Sequence, residues 1–135
     1  MKEKILKLVL RISGIILLTA LVPVVMPFEW MQDIHRWLGM GELPDKPIVG
    51  YLTRSISLLY ALHGALIFYV SLDIRRYLPF IKFIAVLGVI FGAGMVVLDY
   101  GVNMPDYWIL CEGPFVVPLS LVILWLAASI PENSC

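Results

Sequence analysis

The chain is expected to fold as an all-α integral membrane four-helix bundle, with a short amphipathic surface helix between its first and second spans. Three observations carry this expectation. Residues of apolar type make up 61% of the sequence and charged ones only 15%, with a mean hydropathy of +0.93, outside the balance of a water-soluble domain. Four long apolar runs alternate with short charged stretches, from Ile12 to Met26, Ser55 to Leu72, Phe83 to Leu98 and Gly113 to Ile130. Lysine and arginine are concentrated on alternate flanks of those runs.

A helix needs about 20 residues to cross the hydrocarbon core, and each run reaches that length by adding flanking residues with long side chains that snorkel. The spans are expected roughly at residues 6–26, 52–73, 80–100 and 110–130. They occupy most of the 135 residues, so a single transmembrane domain over residues 1–135 is expected, without a soluble catalytic module. Pro23 and Pro27 should close the first span, because proline removes a backbone donor and resists helix continuation. The first run is expected to be a retained helix and not a cleaved signal peptide, because Met26-Pro27-Phe28 stands where a small-x-small site would lie.

From Phe28 to Leu38, Trp30, Ile34, Trp37 and Leu38 recur at helical spacing while Glu29, Asp33 and Arg36 point elsewhere. Such a helix suits the membrane surface, with its tryptophans at headgroup depth; a lid over an interhelical site is the alternative. Gly39 to Pro47 reads as a turn-rich connector into the second span. The third span carries Gly88 and Gly92 as a small-xxx-small pair with Gly94 beyond, a signature of close helix contact within the chain or with a protein partner or second copy. Asp99 follows Gly92 by seven residues, nearly two turns, and should project from the same face.

Orientation follows from the charges, since cytoplasmic segments are enriched in Lys and Arg. Lys2, Lys4, Lys7 and Arg11 precede the first span, and Arg75, Arg76 and Lys82 separate the second from the third. In the other connections Arg36 and Lys46 are diluted by Glu29, Asp33, Glu42 and Asp45, and the last offers Asp106 alone. Both termini are therefore expected in the cytoplasm. The Asp73-Ile74-Arg75-Arg76-Tyr77 turn is read as topogenic, with Asp73 paired to Arg76, or as a contact for lipid phosphate or a docking partner. A net charge of zero and the absence of a further basic block point away from nucleic acid.

With that threading, Arg54 at the start of the second span, Asp99 at the end of the third and Glu112 at the start of the fourth fall in the outer leaflet. Charges near hydrocarbon are costly and are tolerated when paired. An ion-paired cluster is expected, either a structural clamp or the lining of a polar ligand site. Ser57, Tyr60 and His63 follow Arg54 at three-residue steps along a drifting strip. That strip suits a proton relay or a quinone carbonyl, or simply a histidine donating to a backbone carbonyl.

No catalytic residue is expected, because nucleophile elbows and phosphate loops are absent. No metal is expected, since no Glu-x-x-His or His-x-x-x-His pair occurs. No cofactor is expected either: His35 and His63, the sole histidines, belong to a surface loop and a span, which does not suit bis-histidine haem. Cys111 should lie near the outer face and Cys135 at the cytoplasmic end, too far apart to pair.

The stretch from Tyr51 through Arg54, Ser57 and Tyr60 to His63-Gly64, together with Asp73-Ile74-Arg75-Arg76-Tyr77, Met104-Pro105 and Glu112-Gly113-Pro114, resembles a family of small uncharacterised bacterial membrane proteins over nearly the whole chain. More distantly, size, helix count and an early Arg resemble the DoxX-like four-helix membrane proteins. This resemblance implies the bacterial inner membrane and a four-helix fold. DoxX-like proteins are associated with quinone-linked or thiol redox complexes, and this chain has no paired cysteines for the latter. Two functions are carried forward: a non-enzymatic accessory or scaffold subunit of a membrane complex, and a binder or carrier of a small lipid-soluble ligand such as a quinone.

Overall fold

A computed structural model describes residues 1–131, and the expectation placed on Cys135 falls outside them. Among the described residues all regular structure is helical: α1 (Lys2–Leu18), α2 (Leu21–Val25), α3 (Phe28–Trp37), α4 (Pro47–Val70), α5 (Leu78–Gly101), α6 (Asp106–Cys111) and α7 (Gly113–Ala128). Four stretches are long and apolar enough to span a membrane: Lys2–Val25, Pro47–Val70, Leu78–Gly101 and Asp106–Ala128.

Two of the spans are interrupted, and proline chemistry explains where. Pro23 has no N–H to offer Thr19, its partner one turn earlier. The Thr19 carbonyl instead accepts from Val22 at 3.0 Å, and the Thr19 hydroxyl turns back to Ile16 O at 2.6 Å. The first span therefore continues as the separate short helix α2. Pro27 then holds Met26 extended, at φ −66° and ψ 137°, as a residue before proline prefers, and α2 ends. In the last span the break falls at Glu112, whose backbone leaves the helical region at ψ −82°, with Gly113 and Pro114 opening α7. The second span begins at Pro47, five residues before the expected start. Proline is well suited to the first turn of a helix, so the connector closes one residue earlier than its composition suggested.

Two helices end alike. After α3, Gly39 adopts φ +74°, its N–H donates to Arg36 O, and the Met40 N–H donates to His35 O. After α5, Asn103 takes the same left-handed role at φ +56°, donating to Tyr100 O while the Met104 N–H donates to Asp99 O at 3.0 Å. Both are Schellman closures, in which a left-handed residue lets the last carbonyls be satisfied within the chain.

The described residues divide into two compact units, residues 11–69 and residues 1–10 with 70–131. In the first, α1 and α4 run antiparallel through a glycine crossing. A Cβ at Gly64 would stand 2.7 Å from Leu17 Cβ and 2.8 Å from Gly14 O, and one at Gly14 would meet Gly64 O and Phe68 N at 2.9 Å. α3 packs Met31 inward and leaves Trp30, Ile34 and Trp37 exposed. The connector folds back on it: Gln32 donates to Leu43 O at 3.4 Å, and His35 Nδ1 lies 3.0 Å from Gly41 O. Since a carbonyl only accepts, Nδ1 carries the proton there.

In the second unit, α5 and α7 are antiparallel and again closely apposed. Gly88 faces Ser120, while a Cβ at Gly92 would meet Val117 Cγ2 at 2.8 Å and Gly113 O at 3.2 Å. The Gly88 and Gly92 face, read from the sequence as suited either to packing within the chain or to a partner, is thus occupied by α7. Gly94 alone of the three faces open space. At the opposite end from Asp99, Leu6, Leu10, Ile74, Leu78, Ile81, Leu126 and Ala127 are buried. Arg75 pairs with Glu3 at 3.1 Å and Lys2 sits 4.9 Å over the Trp125 ring. The start of α1, the basic turn and the end of α7 therefore meet at one end of this unit. The Asp73 carboxylate accepts from the Arg76 backbone N–H at 3.1 Å. The expected pairing of Asp73 with Arg76 is thus a turn cap made through the main chain, and the Arg76 guanidinium lies 5.5 Å over Tyr77 instead.

Candidate functional site

The polar residues singled out from the sequence belong to two separate settings. Arg54, Ser57, Tyr60 and His63 all lie on α4, the least apolar of the four spans. Arg54 is half-buried and donates through Nε to Val24 O at 3.2 Å and through Nη2 to Met26 O at 3.1 Å. These carbonyls are left over where Pro27 stops α2, and a guanidinium supplies several donors in a fixed fork. Its charge also sits at the C-terminal, electronegative end of that short helix. Arg54 is therefore a cap on α2, anchoring the top of α4 to the end of the first span. Ser57 and Tyr60 are half-buried, while His63 is exposed. The strip drifts outward along α4, because three-residue steps fall short of a full 3.6-residue turn.

Asp99 and Glu112 belong to the other setting. Val96 lies one turn before Asp99, Gly113 directly follows Glu112, and the two helices touch at Val96 and Gly113. Both acids therefore stand at the same end of the α5–α7 pair, capped by α6. Glu112 is half-buried, and its Oε2 accepts from Trp108 Nε1 at 2.6 Å. Asp99 is only 4% exposed, and its Oδ2 has no hydrogen-bond partner among the described residues. The Schellman closure uses the main chain of Asp99, so the carboxylate is not spent as a cap.

No family model, curated protein or solved structure matches the chain.

Three partner residues were not foreseen from the sequence. Trp108 stands four residues before Glu112, a spacing that brings side chains together on one helix and was legible in principle. The Val24 and Met26 carbonyls leave only an indirect signal: a proline that ends a helix in apolar surroundings frees acceptors that must be met. Among the described residues no three His, Cys, Asp or Glu side chains converge as a metal-binding set. Chemically, the arrangement offers one satisfied cation on α4 and one acceptor without a donor at the end of α5.

Proposed function

We propose that this chain is a multi-pass protein of the bacterial inner membrane, with both termini cytoplasmic, that serves as a non-enzymatic accessory or scaffold subunit of a membrane complex. The observation that carries this reading is how little of its apolar surface it covers itself. The apolar windows of the four spans are only 11% to 24% buried within the chain. Both glycine crossings are internal, so what is offered outward is Leu, Ile, Val and Phe surface, to lipid or to the helices of a partner. The cytoplasmic orientation rests on the Lys and Arg gathered near Lys2 and Arg75, following the positive-inside rule. Native mass spectrometry of protein gently extracted from its own membrane tests the subunit reading. A second polypeptide in fixed stoichiometry is expected, and isolation always as a lone chain would overturn it.

A second reading, a binder or carrier of a small lipid-soluble ligand, is favoured by the unpartnered Asp99 oxygen. A buried polar atom left unsatisfied costs about 1–3 kcal/mol, more when charged, and intramembrane acids usually have a functional reason to be there. The same spectra test this reading through added small-molecule mass.

A further inference from the structure

The ligand class follows from what Asp99 lacks. A carboxylate only accepts hydrogen bonds, so Oδ2 asks for a donor. A quinone carbonyl, itself an acceptor, does not answer an ionised carboxylate. Three further observations ask that the donor be a cation. Asp99 lies in the last turn of α5, which ends at Gly101, where the helix dipole is negative and disfavours an anion. From Phe83 to Pro131 the sequence contains Asp99, Asp106 and Glu112 and no Lys, Arg or His. Glu112, the acid nearest along the α5–α7 contact, is already engaged by Trp108 and adds negative charge without supplying a donor. A divalent metal is a poor occupant, because it needs several oxygen ligands and no three such side chains converge among the described residues. A singly charged group with N–H donors on an apolar body fits better, because Val102, three residues after Asp99 and so on its side of the chain, is exposed apolar surface.

We propose that the Asp99 end of α5 binds an alkylammonium group, with Asp99 Oδ2 as its counter-ion and hydrogen-bond acceptor and the alkyl body against the apolar helix surface. This rests on the ligand-binding reading and names its chemical class. The ammonium belongs either to an aminophospholipid headgroup or to a free amphiphilic amine.

The test uses the full chain in dodecyl maltoside with three probes of equal tail length: octylammonium chloride, octanol and octane-1-sulfonate, titrated by calorimetry. Saturable binding of octylammonium, at least tenfold tighter than octanol and absent for the sulfonate, is expected, with at least a tenfold loss in Asp99→Asn of unchanged helix content. If Asp99→Asn fails to fold, the comparison of cation, neutral and anion on the native chain decides by itself. Native mass spectrometry from vesicles containing phosphatidylethanolamine separates the sources. A retained aminophospholipid, lost in Asp99→Asn, supports the proposal with the lipid as ligand. Octylammonium binding without lipid retention supports it with a free amine. Octanol binding as tightly as octylammonium would overturn the ammonium class and leave a ligand site. Neither probe binding nor lipid retention would overturn the site as well.

Discussion

The α1–α4 pair and the α5–α7 pair are built by the same device and finished differently. Each joins antiparallel helices through glycines that bring one backbone onto another, Gly14 with Gly64 in the first and Gly88 and Gly92 with Ser120 and Gly113 in the second. The pairs also treat an ionisable group near one end differently, Arg54 in the first and Asp99 in the second. In the first pair the group is answered: Pro27 frees two carbonyls and Arg54 takes both. In the second the α5 backbone is closed by Asn103, and Asp99 Oδ2 has no donor among the described residues. In hydrocarbon, where no water makes good a missing bond, a polar group persists because the fold needs it or because function does. Arg54 is spent on the fold, whereas Asp99 Oδ2 has no such use among the described residues.

Substitutions can break that comparison in order of expected size. Gly64→Val should be most damaging, since the new Cβ meets the Gly14 carbonyl and the Leu18 N–H at 2.8 Å, main-chain atoms that cannot turn aside. A loss of about 3 kcal/mol or more is expected, read as a lowered midpoint in detergent or thermal unfolding. Arg54→Met should follow, costing about 2–3 kcal/mol because two carbonyls lose a charged donor at once. If its unfolding midpoint matches the native one, Arg54 is not the cap described above. Gly92→Ala is expected to cost about 1–2 kcal/mol, less than Gly64→Val, because its nearest obstacle is the movable Val117 side chain and backbone lies at 3.2 Å. Equal losses at the two glycines would mean that the two crossings are equally rigid.

Asp99→Leu sharpens the contrast between the two ionisable groups. Replacing a buried polar group that lacks a hydrogen-bond partner by an apolar side chain removes its desolvation cost, so no loss of stability, or a gain of about 1 kcal/mol, is expected in the same unfolding assay. A loss as large as that of Arg54→Met would make Asp99 a structural residue. Gly94→Ala is the smallest expected effect, within about 0.5 kcal/mol, because nothing lies within 4 Å of the added methyl; a large effect there would reveal a contact on that side of α5 in the membrane.

Much of the fold could be read from residues near one another in sequence. The four apolar stretches, the short helix from Phe28 and the proline closures are local consequences of hydropathy, spacing and backbone chemistry. The positions of the breaks were less legible. Pro23 and Pro118 are both prolines within apolar helical stretches, yet one precedes the end of a span by a few residues and the other sits inside α7.

The sequence by itself determined that the chain is helical and apolar enough to span a membrane four times, and that its charges collect at the ends of those spans. Length, hydropathy and proline act over a few turns, so no knowledge of distant residues is needed to see them. The tertiary structure alone decided who meets whom: that the Gly88 and Gly92 face is filled by α7, that lone glycines at 14 and 64 form a second crossing, that Arg54 caps a helix about thirty residues away in sequence, and that Asp99 is buried with its Oδ2 lacking a donor among the described residues. The physical reason is that a missing side chain or an unmet acceptor has no local signature. Its consequence depends on which backbone or donor packing brings within about 3 Å.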